Sequence, residues 1–173
     1  MADADPDWGT TGRDAGSRLV APAPVPKGAP RLVCREIELG RIGEALRAAG
    51  GEVAGVFVHG AGGVGKTALL RRAVAVAEEE AGFSATWLDG RDIAPAPDEL
   101  EDALAGARAE AKPLIVLDSF EHVESLGGYL RRALVPSLPP GAAVLIGSRR
   151  APGSEWAPRE RGGGFTAIGR RPL

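Results

Sequence analysis

The stretch GAGGVGKT at residues 60–67 has the residue types and spacing of a phosphate-binding loop. Its glycines let consecutive backbone N–H groups converge on phosphate oxygens, because glycine adopts positive φ at little cost. Lys66 adds a charge directed at the β- and γ-phosphates, and the Thr67 hydroxyl is an oxygen ligand suited to Mg²⁺. We predict that the phosphates of a nucleotide are bound by Gly60, Ala61, Gly62, Gly63, Val64, Gly65, Lys66, Thr67 and Ala68.

Asp118 is a second candidate, because it ends the apolar run LIVLD. A carboxylate at the carboxyl end of such a strand can hold a water molecule bound to Mg²⁺. We therefore predict a magnesium site made by Thr67 directly and by Asp118 through water. Glu121 lies close behind and is a candidate to polarise an attacking water, although it is equally suited to the start of a helix.

Arg149 ends another apolar run, VLIGSR, and is a candidate sensor of the γ-phosphate. Asp89 and Asp92 in the stretch LDGRD motivate a different hypothesis. Some small-molecule kinases place acids that bind the acceptor at such a position, whereas a loop uses the same acids as caps.

Alternating apolar strands and amphipathic helices must position these residues. Strands are predicted at residues 53–60, 84–90, 113–118, 142–148 and 164–169, and helices at residues 35–50, 66–81, 98–111 and 126–134. This alternation predicts an α/β fold with a doubly wound parallel sheet. Ligands of such sheets bind at the carboxyl ends of the strands, where all the candidate residues lie.

The amino-acid composition argues against several other kinds of protein. The net charge of −2 gives no basic face for nucleic acid, and one cysteine and two histidines do not suffice for a cysteine disulfide or a metal cluster. No run is apolar enough for a signal peptide or a membrane span, so we expect a cytoplasmic protein. Residues 1–30 are rich in Pro, Ala and Gly and are predicted to form a disordered tail before a domain at residues 31–173.

Taken together, the motifs resemble the nucleotide-binding core of the signal-transduction ATPases with numerous domains (the STAND class) and of related origin-recognition-like AAA ATPases. The resemblance covers residues 32–173 and includes LVCREIELGRIGEAL, GVFVHGAGGVGKTALLRR and PLIVLDSFEHVESL. It implies a P-loop NTPase of ASCE type with the strand order 5-1-4-3-2. It also implies ATP or ADP with Mg²⁺ as ligands, and Val33, Cys34 and Arg35 beside the adenine.

Three features depart from the family pattern. Cys34 stands where the family usually has glycine, and Ser119 stands where many relatives have the acid that activates water. The sequence also ends at Leu173, before the helical lid and regulatory domains of the class. We therefore expect an ATP-binding module with slow hydrolysis that depends on a protein partner or on C-terminal regulatory domains. The alternatives are a P-loop small-molecule kinase and a vestigial core that no longer signals.

Overall fold

The computed structural model describes residues 35–48, 51–157 and 165–170. One parallel sheet of five strands forms its centre, made of β1 (Ala54–Gly60), β2 (Ser84–Asp89), β3 (Pro113–Asp118), β4 (Ala143–Ser148) and β5 (Phe165–Arg170). Across the sheet the order is β2-β3-β4-β1-β5. This confirms the predicted order 5-1-4-3-2 and the doubly wound α/β fold of a P-loop NTPase.

The sheet forms from these segments because their apolar runs are covered on both faces, as expected for parallel strands. Every residue of β3 and β4 is buried, and six of the seven residues of β1 are buried. The edge strand β2 is only half-buried along its length. The parallel register brings the carboxyl ends of β1, β3 and β4 to one edge of the sheet.

Helices cover the two faces of the sheet. The three long helices are α1 (Glu36–Arg47), α2 (Lys66–Ala81) and α3 (Pro97–Leu104). Helices α1 and α2 pack on one face, and α3 and the turns that follow β3 pack on the other. The predicted inward positions of α2 are confirmed, since all of them are buried: Leu69, Leu70, Ala73, Val74 and Ala77.

Several predicted boundaries were wrong. Helix α1 ends at Arg47, and the helix predicted to reach residue 111 stops at Leu104, shortly before Gly106, and is followed by a 3₁₀ turn at Ala107–Ala109. The helix predicted at 126–134 is present but irregular: 3₁₀ geometry at Glu124–Leu126, α at Gly127–Tyr129, π at Leu130–Leu134 and α at Val135–Ser137 follow one another without a break. Pro136 lies within the last turn, because proline is tolerated at the start of a helical segment. The predicted tail at residues 1–30 lies outside the described residues.

An aromatic cluster fills the face opposite α2. The Trp156 ring lies edge-on to three others, with centroid distances of 5.3 Å to Phe57, 5.7 Å to Phe120 and 4.8 Å to Phe165. These rings belong to β1, to the 3₁₀ turn Phe120–His122 and to β5. The cluster therefore ties together the elements that lead into and out of the edge of the sheet where the candidate residues lie.

Candidate functional site

The phosphate-binding loop connects β1 to α2. Gly63 and Gly65 have φ values of 76° and 77°, in the left-handed region that side chains other than glycine rarely adopt. Gly65 is the N-cap residue of α2, so the loop passes directly into the first turn of the helix. The strand, loop and helix predicted around residues 60–67 are therefore present with the backbone geometry of a P-loop.

The N-terminus of α2 offers its backbone donors to an anion. No side chain caps it, and its first turn contains no acidic residue. By contrast, α1 and α3 have acidic residues in their first turns, which satisfy the positive end of the helix dipole. A phosphate group at the start of α2 would supply the negative charge that the sequence leaves out there.

Lys66 lies folded over the loop that precedes it. Its Nζ atom donates hydrogen bonds to the carbonyl oxygens of Gly60, at 2.8 Å, and of Ala61, at 2.9 Å. These contacts hold the ammonium group at the mouth of the loop. A flexible cation at that position can be shared with a phosphate oxygen, which is the role predicted from the motif.

Thr67, in the first turn of α2, contacts Asp118 at the carboxyl end of β3. The Thr67 hydroxyl donates a hydrogen bond of 2.6 Å to Oδ2 of Asp118, and the Ser119 N–H donates one of 2.9 Å to Oδ1. Asp118 is only 4% exposed. A hydroxyl and a buried carboxylate supply the hard oxygen donors that Mg²⁺ requires, so these residues fit a magnesium ion held by Thr67 with Asp118 behind it.

Gly147 makes room for this pair and was not singled out in the sequence. A Cβ atom at Gly147 would lie 2.9 Å from Oδ1 of Asp118 and 2.6 Å from Cδ1 of Leu70. A side chain at this position of β4 would displace the Asp118 carboxylate or the Leu70 side chain of α2. The signal was present, because a glycine inside an otherwise apolar strand indicates close approach of another group.

Arg35, which was predicted to lie beside the adenine, contacts the P-loop. Its Nη1 atom donates to the Gly65 carbonyl at 2.5 Å, and its Nη2 atom donates to the Val64 carbonyl. The other two residues predicted beside the adenine, Val33 and Cys34, lie outside the described residues. The expected adenine-side role of Arg35 stays a prediction, and its contact with the loop is a feature that the sequence did not indicate.

Glu121 and Arg149, both predicted near the γ-phosphate, bind each other. Oε2 of Glu121 accepts the Arg149 N–H at 3.0 Å, and Oε1 lies 3.0 Å from Nε of Arg149. Glu121 is largely buried, whereas the Arg149 side chain is 66% exposed. The Arg149 guanidinium also lies against the P-loop, since its Nε and Cζ atoms are 3.9 Å from the position of a Cβ on Gly62.

Asp89, one of the acids behind the kinase hypothesis, is occupied by its neighbours. Arg91 donates to it through Nε at 2.9 Å, through Nη2 at 2.5 Å and through its backbone N–H at 3.0 Å. The side-chain hydrogen bond from Arg91 lowers the pKa of the Asp89 carboxyl, and the Ser119 hydroxyl adds to this, while partial burial opposes it. Asp89 therefore has little capacity left to bind an acceptor substrate.

The turn after β3 explains how Ser119 reaches Asp89. Ser119 has a φ of 54°, which is uncommon for a residue other than glycine. The Ser119 side chain that follows this turn hydrogen-bonds the Asp89 carboxyl at the end of β2.

Within the described ranges, no group of three or more His, Cys, Asp and Glu side chains is arranged to hold a metal ion.

Comparisons with known proteins agree with this geometry. Residues 31–95 match the model of the AAA ATPase domain, a segment that includes α1, the P-loop and α2. The chain superposes on Cdc6p from Pyrobaculum aerophilum with a TM-score of 0.50 and 20% identity, over 76% of this chain and 42% of that one. At that identity the similarity shows the fold alone. The family match thus covers 65 of the 173 residues, including the P-loop, and the structural match shows the fold of the chain.

Another structure similar to this P-loop core is the RuvB Holliday junction branch migration motor from Thermotoga maritima. The TM-score is 0.49 with 19% identity, and the match covers 77% of this chain and 45% of that one. The chain thus spans less than half the length of both solved structures.

No curated protein is significantly similar to the chain in sequence. In the part of the chain that the structure describes, no helix is both long and apolar enough to cross a membrane.

Proposed function

We propose that the P-loop core binds Mg-ATP and Mg-ADP as the nucleotide module of a regulatory ATPase of the STAND or origin-recognition-like branch. Gly60 to Thr67 bind the phosphates, and Thr67 and Asp118 hold Mg²⁺. A protein partner or C-terminal regulatory domains respond to the bound nucleotide. The resemblance over residues 32–173 and the family match over residues 31–95 support this assignment.

The hydrogen bond between Thr67 and Asp118 is the observation that carries the proposal. A glycine-rich turn at the start of a helix binds anions of many kinds. A buried carboxylate 2.6 Å from the hydroxyl that follows the lysine adds a place for a metal ion beside the phosphates. The combination is specific for a phosphate chain that carries a divalent cation, as a nucleoside di- or triphosphate does.

Slow hydrolysis follows from the groups near Asp118. Ser119 has no carboxylate to activate water, and both oxygens of Glu121 are engaged by Arg149. Glu121 acts as a general base only after Arg149 has moved toward the γ-phosphate. Because Ser119 brings no carboxylate to this position, the site favours a long-lived ATP complex over rapid cycling.

Two measurements test binding of Mg-ATP, Mg-ADP and Mg-GTP: isothermal titration gives the dissociation constant, and thermal unfolding gives the change in Tm. At about 100 times the dissociation constant, bound nucleotide stabilises the fold by roughly 2.7 kcal/mol and raises Tm by about 5–10 °C. Lys66→Ala is expected to remove most of this rise in Tm, because the charge at the phosphates is lost. If Tm does not rise at millimolar nucleotide, binding is refuted.

The matched control for Lys66→Ala is Lys112→Ala. Lys112 lies beside the first residue of β3, at the opposite end of the strands, where its Nζ atom donates to the Ala81 carbonyl and lies over the Phe83 ring. Its loss removes the same charge but leaves nucleotide affinity unchanged. If both variants weaken binding equally, net charge and not the P-loop is responsible.

Phosphate release separates an ATPase from the kinase alternative. Wild-type protein with Mg-ATP is expected to release inorganic phosphate slowly, and addition of a panel of metabolites is expected to leave that rate unchanged. The occupied carboxylate of Asp89 is the reason. Transfer of phosphate to any metabolite faster than to water would favour the kinase.

A further inference from the structure

One arginine fork binds two successive carbonyl groups of the P-loop. The two terminal nitrogens of Arg35 donate to the oxygens of Val64 and Gly65, residues about thirty positions further along the chain. The Gly65 oxygen also accepts the first hydrogen bond of α2, from the Leu69 N–H at 3.1 Å. The guanidinium therefore lies at the point where the loop becomes a helix.

The loop is shaped to admit this side chain. A Cβ atom at Gly65 would lie 2.6 Å from Nη2 and 2.9 Å from Nη1 of Arg35. Glycine is favoured at position 65 by the positive φ, and the absence of a Cβ atom leaves the space that the guanidinium occupies. A planar fork with several donors matches two adjacent carbonyls in a way that a single ammonium group does not.

The peptide bond transmits this contact to the phosphate side of the loop. Each peptide unit is planar and trans, so its N–H points away from its C=O. The Val64 carbonyl shares a peptide unit with the Gly65 N–H, and the Gly65 carbonyl shares one with the Lys66 N–H. When Arg35 holds the two carbonyls, the two N–H groups are fixed in direction, facing away from Arg35.

We propose that Arg35 is a positioning residue for phosphate binding. It holds the outer carbonyls of the P-loop so that the N–H groups of Gly65 and Lys66 are oriented for the phosphate chain before the ligand arrives. The inference rests on the proposed function, because it concerns the same nucleotide site. It differs from an adenine-side role in that the base of the nucleotide takes no part.

Inorganic tripolyphosphate, which has no base, separates the two roles. We measure dissociation constants of Mg-ATP and of Mg-tripolyphosphate by isothermal titration for the wild-type protein and for Arg35→Ala. Both ligands are expected to lose affinity by the same factor, about tenfold or more, because two hydrogen bonds from a charged donor are lost. A loss confined to Mg-ATP would assign Arg35 to the adenine, and no loss for either ligand would also overturn the proposal.

Arg41→Ala is the control, since Arg41 lies exposed on the same helix. It removes the same charge and is expected to leave both dissociation constants unchanged; an equal loss in this variant would overturn the proposal. Arg35→Lys keeps the charge but not the fork, and is expected to recover only a small part of the affinity. Full recovery by lysine would show that charge alone is needed.

Two further measurements keep folding and function apart. The Tm of each ligand-free variant reports any general loss of structure, which lowers the folded fraction without changing the dissociation constant of the folded protein. The wild-type titration decides the proposed function on its own. If wild-type protein binds neither ligand, the nucleotide site fails and the positioning role fails with it; if wild-type protein binds both, the ratio of variant to wild type decides Arg35 alone.

Discussion

The two halves of the site are stabilised in different ways. In the phosphate half, the part proposed to bind the phosphates, Arg35 and Lys66 donate to backbone carbonyls, and Thr67 donates to a carboxylate that is 4% exposed. In the water half, the part proposed to activate water, one backbone N–H donates to Glu121 and the side-chain contacts are ion pairs of exposed arginines. Arg149 and Arg150 bind Glu121 and Glu124, with arginine side chains that are 66% and 72% exposed.

This difference in contacts predicts that nucleotide binding and nucleotide hydrolysis place different demands on the site. Hydrogen bonds from a charged group to a fixed backbone, or to a buried carboxylate, hold their geometry before a ligand arrives. Exposed ion pairs contribute about 0–1 kcal/mol and exchange partners readily. The phosphate half is therefore pre-formed, whereas the water half is expected to rearrange when the proposed nucleotide binds.

The largest effect is expected for Asp118→Asn, which tests the phosphate half. Asparagine keeps the size of the side chain and an acceptor oxygen for its neighbours, but it removes the charge behind the metal ion. Loss of such an outer-shell group typically lowers metal affinity by about 10–100-fold. We expect the affinity for ATP to fall strongly with Mg²⁺ present and much less in EDTA, as measured by isothermal titration.

Asp92→Asn is the matched control, because Asp92 is an exposed carboxylate at the same edge of the sheet. It is expected to change neither affinity. An equal loss in Asp118→Asn with and without Mg²⁺ would contradict a metal role and would assign Asp118 to the shape of the loop.

A smaller effect is expected for Arg149→Ala, which tests the water half. If Arg149 leaves Glu121 for the γ-phosphate, its loss weakens ATP binding but not ADP binding. The ratio of the two dissociation constants then changes by about tenfold, the value of a hydrogen bond to a charged group. Competition titrations with the two nucleotides measure this ratio directly.

Arg150→Ala provides a close comparison, since Arg150 is the next residue, is equally exposed and pairs with Glu124 at 2.7 Å. It is expected to leave the ratio unchanged. The same change in both variants, or equal weakening of ATP and ADP by Arg149→Ala, would show that Arg149 does not distinguish the γ-phosphate.

The smallest effect concerns Asp89, at the end of the edge strand β2. Its pKa is lowered in the folded protein, chiefly by the side-chain hydrogen bond from Arg91. The stabilisation is therefore fully present above the unfolded value near 3.8 and is lost as the pH falls below it through the folded value. In urea denaturation, the stability advantage of wild type over Asp89→Asn is expected to shrink below that pH. An advantage that grows on acidification would contradict this assignment.

Much of the fold was predictable because the signals are local. The glycines and Lys66 of the P-loop lie within eight residues, β3 ends at the candidate Asp118, and β4 ends one residue before the candidate Arg149. The rule that parallel strands share a carboxyl edge placed Glu121 near Arg149. Their direct pairing was not predictable, since it depends on a 3₁₀ turn at Phe120–His122 that no periodicity marks.

Long-range contacts and irregular helices were not predictable. The contact between Arg35 and the P-loop joins residues thirty positions apart, and nothing in either segment alone indicates it. The π turn at Leu130–Leu134 keeps both leucines buried within an otherwise helical pattern, so a regular helix fits the sequence equally well. The strand order followed from family resemblance, because periodicity specifies strands but not their neighbours.

The aromatic cluster gives the protein a built-in optical reporter. Trp156 follows the end of β4 by a few residues and contacts rings from β1, from the turn after Asp118 and from β5. Its ring also lies 5.2 Å from the Arg131 guanidinium, so its fluorescence emission reports on the packing of the elements that meet at this cluster. Trp8 and Trp87 emit in the same range, so substituting both by phenylalanine would leave Trp156 as the single tryptophan and make this packing readable by emission without an attached dye.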